Sequence, residues 1–214
     1  MIKNIFFDFI GTLLDDVFLT FDIENNLAKK YGVPPFSMEK YLDVFCFPVR
    51  DYYEKIGFDL SKIDFNKLSH EFMDEFYKRF SKDTKLYDGL IPFLSKLKKE
   101  GYKLFVVSAT KHEDLVNQLK EKEIDMFFDD FIGSNNIAGK GKIDYSKDFV
   151  NSKNINTNES VFVGDTIHDY EVGSALKMKV VLVTFGHNSE KLLKTVSSNL
   201  VSNYDELYRL IKSY

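Results

Sequence analysis

The fold is indicated first by the stretch KNIFFDFIGTL at residues 3–13. Its apolar run ends on the carboxylate of Asp8, and the pair Gly11-Thr12 follows as a tight turn. A short apolar run bounded by turn residues is typical of a strand that is buried on both faces of a sheet. The stretch therefore predicts a buried strand that delivers an acidic side chain to a turn.

The composition indicates a globular protein that does not bind nucleic acid. At 214 residues the chain is long enough for one domain with a full core and a smaller inserted module. The formal net charge is -4, and acids and bases are interspersed. The chain therefore lacks the basic stripe that a nucleic-acid binder needs to neutralise phosphates.

The cysteine content and the hydropathy of the chain indicate where in the cell the protein is expected. Cys46 is the single cysteine, which excludes an internal disulfide and a thiolate zinc cluster. The first residues run directly into a strand pattern instead of a signal peptide, and no apolar run reaches the ~18 residues of a membrane helix. We expect a cytoplasmic monomer or homodimer that has no membrane segment.

Short apolar runs alternate with stretches of helical period, a pattern that predicts an α/β fold with a parallel sheet. The predicted strands cover residues 4–8, 103–108, 160–165 and 180–184, with shorter strands near 131–133 and 200–201. Parallel strands joined by right-handed crossovers end at one edge of the sheet. We therefore expect Asp8, Ser108 and Asp165, which close the first three strands, to lie close together.

A helical segment separates the first strand from the helix predicted at residues 90–100. Apolar residues recur there at helical spacing, for example Leu68, Phe72 and Phe76, and no strand is predicted. The simplest interpretation is a small bundle over the loop that follows the first strand. The predicted domains are a core at 1–14 and 86–214 and an α-helical cap at 15–85.

Three motifs in order resemble the haloacid dehalogenase-like superfamily. The first is the 8–12 segment, which resembles the signature D-x-D-G-T. The second is LFVVSAT at 104–110, and the last is GDTIHD at 164–169. The resemblance covers essentially the whole chain and points to the phosphoglycolate-phosphatase-like subgroup. It implies a Rossmann-like core and makes Asp8 the nucleophile and Ser108 a ligand of a phosphoryl oxygen.

The resemblance also implies a Mg²⁺ site. Its ligands would be Asp8, the main-chain carbonyl of Ile10 and Asp165, with Asp169 supporting the metal's waters or orienting a lysine. A phosphate dianion repels a carboxylate nucleophile, so a divalent cation is needed between them and a positive side chain on the other phosphoryl oxygens. Asp169 has an alternative interpretation as an acid favoured at a helix N-terminus.

Two lysines fit the position that the family reserves for a phosphate-binding lysine. Lys142 is preferred because its spacing to Asp165 resembles a subgroup in which the lysine opens a helix and the last motif reads G-D-T-x-H-D-Y-E-V. Lys140 fits a G-K-P-x-P-D variant in its offset to Asp144, but the prolines are missing. Either lysine could instead be a solvated loop charge.

Substrate binding is assigned to residues at the turns and in the cap. Gly11 lets the main chain turn so that amides face the phosphate, while Thr12 more often has a structural role. Ala109, next to Ser108, and Arg50 of the cap complete the set. Two loop histidines, His112 and His168, could supply protons, although loop histidines are usually surface residues.

One position departs from the family pattern. Ile10 stands where the signature has its second Asp, the residue that protonates the leaving alcohol and then activates water. Acid/base help is worth roughly 10² to 10⁴ in rate, whereas the total acceleration of phosphate monoester hydrolysis can reach about 10²¹. The loss would impair the enzyme without necessarily abolishing its activity.

The expected function is therefore Mg²⁺-dependent hydrolysis of a small phosphorylated metabolite through an aspartyl-phosphate. The alternative is a pseudophosphatase that binds a phosphorylated ligand or partner without turnover. A third reading, a phosphonate or haloacid hydrolase, fits less well. Dehalogenases lack the paired acids at Asp165 and Asp169, and the phosphonate enzymes need a Schiff-base lysine from the cap that the sequence does not identify.

Overall fold

A computed structural model of the chain describes residues 1–134 and 141–214. The described strands are β1 (Asn4–Phe7), β2 (Leu14–Asp15), β3 (Lys85–Leu86), β4 (Lys103–Lys111), β5 (Asp130–Ser134), β6 (Ser160–Gly164), β7 (Lys179–Val183) and β8 (Leu200–Val201). The described helices are α1 (Val17–Lys30), α2 (Met38–Val44), α3 (Val49–Ile56), α4 (Phe65–Asp83), α5 (Leu90–Lys99), α6 (His112–Glu121), α7 (Lys142–Ser152), α8 (Ile167–Ala175), α9 (Glu190–Leu193) and α10 (Tyr204–Ser213).

Six strands form one parallel sheet in the order β5-β4-β1-β6-β7-β8. The first strand along the chain thus lies in the middle of the sheet, between β4 and β6. All six predicted strands are present and differ from the prediction mainly at their ends. The largest difference is β4, which continues past residue 108 to Lys111 through a shift in its register with β5. The fold class is confirmed.

The alternation of side chains along β1 explains why its whole run is apolar. Ile5 and Phe7 face one hydrophobic cluster, while Phe6 faces the other, where its ring stacks on Phe105 at 4.8 Å between centroids. Successive side chains of a strand point to opposite faces. Helices α5 and α10 supply the first cluster, and α7 and α8 supply the second. A central strand of a sheet that is covered by helices on both faces therefore needs apolar residues on both of its sides.

Helices α1 to α4, here called the helical insert, follow one another between β2 and β3. Helices α1 and α4 pack together, and the interior of the insert is aromatic, with Tyr41, Tyr52 and Tyr53 almost fully buried. Within the described residues, no helix is both long enough and apolar enough to cross a membrane.

The expectation that no strand lies between the first strand and residues 90–100 is wrong at the two ends of this segment. Strands β2 and β3 pair antiparallel, with Leu14 opposite Leu86 and Asp15 opposite Lys85. Two-residue strands carry no period in the sequence, and their pairing joins segments that are far apart along the chain. This pair of strands joins the point where the chain enters the helical insert to the point where the chain leaves it.

Candidate active site

Residues of three motifs lie at the carboxyl edge of the sheet. Asp8 directly follows β1, Asp165 directly follows β6, and Ser108 lies in β4. Strand β1 is hydrogen-bonded to both β4 and β6, and all three run in parallel. The three polar side chains therefore come from adjacent strands.

Asp8, Asp165 and Asp169 form a cluster of buried carboxylates. One carboxylate oxygen from each lies within 4.8 Å of the others, and their relative exposures are 7%, 0% and 2%. Buried carboxylates so close together repel one another unless positive charge lies among them. The negative charge of the cluster must therefore be balanced by positive charge within the site.

Lys142 supplies part of that balance. It is the first residue of α7, and its buried Nζ lies 2.5 Å from Asp8 Oδ1 and 2.7 Å from Asp169 Oδ1. The structure thus brings Lys142 into the acidic cluster as the sequence favoured. The alternative, Lys140, lies outside the described residues.

The orientation of Asp169 follows from the start of α8. Thr166 is the N-cap of that helix, and its side chain and Asp169 form a capping box. Asp169 Oδ2 accepts hydrogen bonds from the Thr166 hydroxyl at 2.7 Å and from the backbone amides of Thr166 and Asp165. Its other oxygen is left to face Lys142. Asp169 is therefore both a helix-capping acid and a member of the site.

Asp165 is oriented by hydrogen bonds to both of its oxygens. The Thr12 hydroxyl donates to Oδ1 at 3.0 Å, and the His187 amide donates to Oδ2 at 2.7 Å. The Thr12 hydroxyl is thus engaged with a site carboxylate, which fits the structural role that the sequence favoured. Gly11 has φ of 79°, and a Cβ there would lie 2.3 Å from Asp165 Oδ2. The turn therefore needs glycine for its conformation and for its space.

The electrostatics of the cluster depend on burial and on Lys142. Burial raises the pKa of Asp8 to about 8, although Lys142 pulls it down. Burial also raises the pKa of Asp165 to about 6. Burial pushes the pKa of Asp169 upward, but the Lys142 ammonium outweighs it, so that this pKa is lowered. At neutral pH, ionisation of Asp8 therefore requires more positive charge than Lys142 alone provides.

This arrangement fits a hard divalent cation. Three carboxylates lie together and one ammonium contacts two of them, and carboxylate oxygens are the ligands that Mg²⁺ prefers in proteins. A cation at the cluster would also lower the pKa of Asp8 and keep it ionised. Asp8, Asp165 and Asp169 are the side chains that could hold it.

A small cavity of about 130 Å³ is lined in part by Asp8. Ser108 and Ala109 line it, and the buried Ser108 hydroxyl accepts a hydrogen bond from the Thr110 amide at 3.2 Å. The other lining residues are Asp8, Ile10, Phe45, Phe47, Thr110, Lys142, Thr166, Asp169 and His187. The cavity therefore combines the charged cluster with a hydroxyl from the neighbouring strand.

A larger cavity of about 440 Å³ lies between the helical insert and the sheet edge. It shares Ile10, Phe45, Phe47, Ala109, Thr110 and His187 with the small cavity. The remaining lining residues are Asp16, Thr20, Glu24, Val49, Tyr53, Phe72, Met73, Phe76, Tyr77, Lys111, Gln118 and Ser134. Ile10 therefore lies where the charged cavity meets a wider, mostly apolar one.

The histidine that lines both cavities together with Ile10 is His187, which the sequence analysis missed. It is buried, with Nε2 3.1 Å from Asp16 Oδ1 and Nδ1 hydrogen-bonded to the Tyr41 hydroxyl. Burial opposes its protonation, but Asp16 and Asp165 raise the pKa of His187 to about 9. One signal could have found it: His187 follows β7, whose carboxyl end lies at the same sheet edge as that of β1.

Three polar residues of the insert also line the larger cavity and were missed. Asp16, Thr20 and Glu24 recur at every fourth position, so they lie on one face of α1. The Thr20 hydroxyl donates to Asp16 Oδ2 at 2.8 Å, and Glu24 accepts a hydrogen bond from the Tyr52 hydroxyl. Burial raises the pKa of Glu24 to about 8. The polar groups of this face are thus paired with one another or with the core.

Three predicted residues are placed elsewhere. Arg50 is exposed, its guanidinium packs 5.6 Å from the centroid of the Phe65 ring, and it is not among the described residues that line either cavity. His168 pairs with Glu171 at 3.0 Å, and His112 accepts a hydrogen bond from the Gly133 amide at 3.3 Å. Neither histidine is among the described lining residues. The structure thus does not bring these three to the cluster.

Known proteins resemble this chain over most of its length. Pyrophosphatase PpaX of Bacillus mycoides is 24% identical over 190 residues, which are 86% of this chain and 84% of the relative. Phosphoglycolate phosphatase of Pseudomonas fluorescens is 25% identical over 215 residues, which cover 98% of this chain and 78% of the relative. The crystal structure of a "predicted phosphatase" from Clostridium acetobutylicum superimposes with a TM-score of 0.84 at 23% identity, covering 100% of both chains.

The family model described as haloacid dehalogenase-like hydrolase matches residues 5–183. That span runs from β1 through β7 and includes Asp8, Ser108, Lys142, Asp165 and Asp169. The chain belongs to the haloacid dehalogenase-like hydrolase family.

Proposed function

We propose that the protein is a Mg²⁺-dependent phosphoric monoester hydrolase that acts on a small phosphorylated metabolite through an aspartyl-phosphate on Asp8. The observation that carries the proposal is the contact of Lys142 Nζ with both Asp8 and Asp169 at the floor of the small cavity. The names of the relatives, pyrophosphatase and phosphoglycolate phosphatase, support chemistry at phosphorus. The cytoplasm is the proposed location.

In the proposed reaction, the small cavity receives the phosphoryl group. The Ser108 hydroxyl and the Lys142 ammonium bind its outer oxygens, and an Asp8 oxygen attacks phosphorus. The bond from phosphorus to the leaving oxygen breaks, and that oxygen keeps the electron pair. Asp8, Asp165 and the Ile10 carbonyl would hold Mg²⁺, with Asp169 in support, and the ion would supply the positive charge that lets a carboxylate approach a phosphate dianion.

Ile10 limits both halves of this reaction. Its side chain lines the cavity over Asp8 but has no proton to give to the leaving oxygen and cannot accept one from water. The leaving oxygen must therefore carry its own charge, and the aspartyl-phosphate must react with water that no group at position 10 activates. We propose that the enzyme is slow and favours good leaving groups.

A second function, binding a phosphorylated ligand or partner without turnover, is favoured by the same isoleucine. The binding groups at Ser108 and Lys142 do not depend on residue 10. The third hypothesis, a phosphonate or haloacid hydrolase, gains no support. The buried acid cluster argues against a dehalogenase, and the described lysines that line the cavities, Lys111 and Lys142, do not belong to the insert that would supply a Schiff-base lysine.

The test compares Asp8→Asn with the wild type for phosphate release from an aryl phosphate in Mg²⁺. Asp8→Asn removes the nucleophile, and we expect a loss on the order of 10⁴ or more. Asp15→Asn is the matched control, because Asp15 lies near the same loop but outside both cavities, and it should retain activity. If the wild type never exceeds Asp8→Asn but still binds phosphate, the binding function is the correct one.

A further inference from the structure

We propose that the larger cavity selects a leaving group that is uncharged and mainly apolar, an aromatic or aliphatic alcohol, over one that is anionic. The inference rests on the proposed phosphatase function and names the substrate class of that site. It sets the chain apart from the substrates named for its relatives: the leaving group of phosphoglycolate carries a carboxylate, and that of pyrophosphate is itself a phosphate.

The position of the cavity assigns it to the leaving group. The phosphoryl group must lie next to Asp8 and Lys142. Among the described residues, these two line the small cavity and not the larger one. The larger cavity shares six lining residues with the small one, Ile10 among them, and residues of α4 line another part of its wall. Its volume of about 440 Å³ lies within the ~300–1,000 Å³ of small-molecule sites. The rest of the substrate therefore occupies the larger cavity.

The wall of this cavity is largely aromatic and aliphatic. Phe72, Met73 and Phe76 come from consecutive turns of α4, and Phe45 and Val49 come from the segment around α3. Phe72 and Phe76 stack with their ring centroids 5.9 Å apart. Such a surface gains free energy when it is covered by apolar groups.

The charges on the wall cancel or are already paired. Asp16 and His187 form a buried ion pair at 3.1 Å. Both ring nitrogens of His187 are engaged, Nε2 by Asp16 and Nδ1 by Tyr41. Its imidazole therefore has no N–H left to donate to an anionic substrate.

The other ionisable groups on the wall give an anion no partner. Glu24 is buried and hydrogen-bonded to Tyr52, and it supplies no positive charge to an anion. Lys111 is exposed at the rim, where it pairs with Glu113 at 2.8 Å. Within residues 1–134 and 141–214, an anionic leaving group would thus lose its water without gaining a counter-ion, and such burial is costly.

The experiment uses aryl phosphates whose phenols have similar acidity but differ in charge. For the wild type in Mg²⁺, kcat/KM should be about tenfold or more higher for phenyl phosphate than for 3-carboxyphenyl phosphate, and highest for 2-naphthyl phosphate. Equal rates, or a preference for the carboxylate, would overturn the inference.

A charge placed on the wall should reverse this selectivity. Met73 is half-buried, so a lysine there can reach the cavity and keep its ammonium hydrated. Met73→Lys should lower the ratio of phenyl to 3-carboxyphenyl phosphate by about tenfold. Met73→Leu is the matched apolar control and should keep the wild-type ratio. Thermal unfolding of both variants checks that they fold.

Binding separates failure of this inference from failure of the phosphatase proposal. Calorimetry on Asp8→Asn, which cannot turn over, measures the affinity for the same three esters in Mg²⁺. The order 2-naphthyl, phenyl, 3-carboxyphenyl would support the inference even if no variant released phosphate. Tighter binding of the carboxylate would contradict it whether or not the wild type is active.

Discussion

The two cavities that meet at Ile10 are built in opposite ways. The small one holds Asp8, Lys142 and Asp169, whose charges contact one another directly. The larger one has a mostly apolar wall, and its ionisable groups are paired before any ligand arrives. We propose that the first binds and transfers a phosphoryl group and that the second accepts the leaving group.

Under the proposed function, this contrast teaches that the residues that carry out the reaction and the residues that select the substrate come from different parts of the chain. The charged residues follow strands of the parallel sheet or begin the helices at its edge, and a rigid scaffold of that kind holds reacting groups in place. The apolar wall comes largely from the helical insert, whose contacts with the segments at the sheet edge include aromatic ones such as Phe47 against His168. Substitutions in the small cavity should therefore change kcat, and substitutions in the larger one should change KM.

The largest effect is expected from Lys142→Met. The change leaves the buried Asp8 and Asp169 facing each other, and removal of one partner from a buried ion pair costs roughly 3–5 kcal/mol. We expect the lower end, because Asp8 can take up a proton, together with a loss of kcat on the order of 10³. Urea unfolding and phosphate release measure the two effects. Lys147→Met, an exposed position on the same helix, should change neither.

Magnesium should stabilise the folded protein through the acid cluster. A ligand at 100 times its Kd adds about 2.7 kcal/mol to the free energy of unfolding, so Tm should rise as Mg²⁺ is added. Asp165→Asn should remove most of this rise, while Asp129→Asn, on the loop before β5 and outside the cluster, should keep it. A Tm that is insensitive to Mg²⁺ in the wild type would contradict the proposed metal site.

The smallest effect is expected in the larger cavity. Phe72→Ala removes an aromatic ring from the wall, so KM for an aryl phosphate should rise about tenfold while kcat stays nearly constant, the pattern of lost uniform binding. Phe18→Ala is the control, because Phe18 is 76% exposed on α1. A fall in kcat as large as the rise in KM would mean that the wall also positions the reacting atoms.

The sequence predicted the sheet well, and it did so for a physical reason. Asp8, Ser108 and Asp165 follow or close buried apolar runs, and topology alone places the ends of parallel strands together. Asp169 is fixed by a capping box that spans only the four residues from Thr166 to Asp169. The sequence preferred Lys142 but left Lys140 open, because both lysines lie at a suitable distance along the chain before Asp165.

The sequence could not predict the larger cavity, because it depends on contacts between distant segments. Asp16 and His187 are 171 positions apart, and neither lies in a motif. Strands β2 and β3 are too short to show a period. Arg50 was assigned to the substrate from its place in the insert, but the direction of its side chain is set by Phe65. Such features follow from packing, which a linear pattern does not record.

The role of Ile10 at the junction of the two cavities is tested most directly by the dependence of rate on leaving-group acidity in the wild type and in Ile10→Asp. Without a proton donor at residue 10, the wild-type rate should fall steeply from aryl to alkyl phosphates, with a burst as aspartyl-phosphate accumulates. Ile10→Asp should flatten this dependence, abolish the burst and raise turnover roughly 10²- to 10⁴-fold, most for alkyl esters. A folded, Mg²⁺-binding Ile10→Asp variant that gains nothing on any ester would contradict the proposal and favour a binding function.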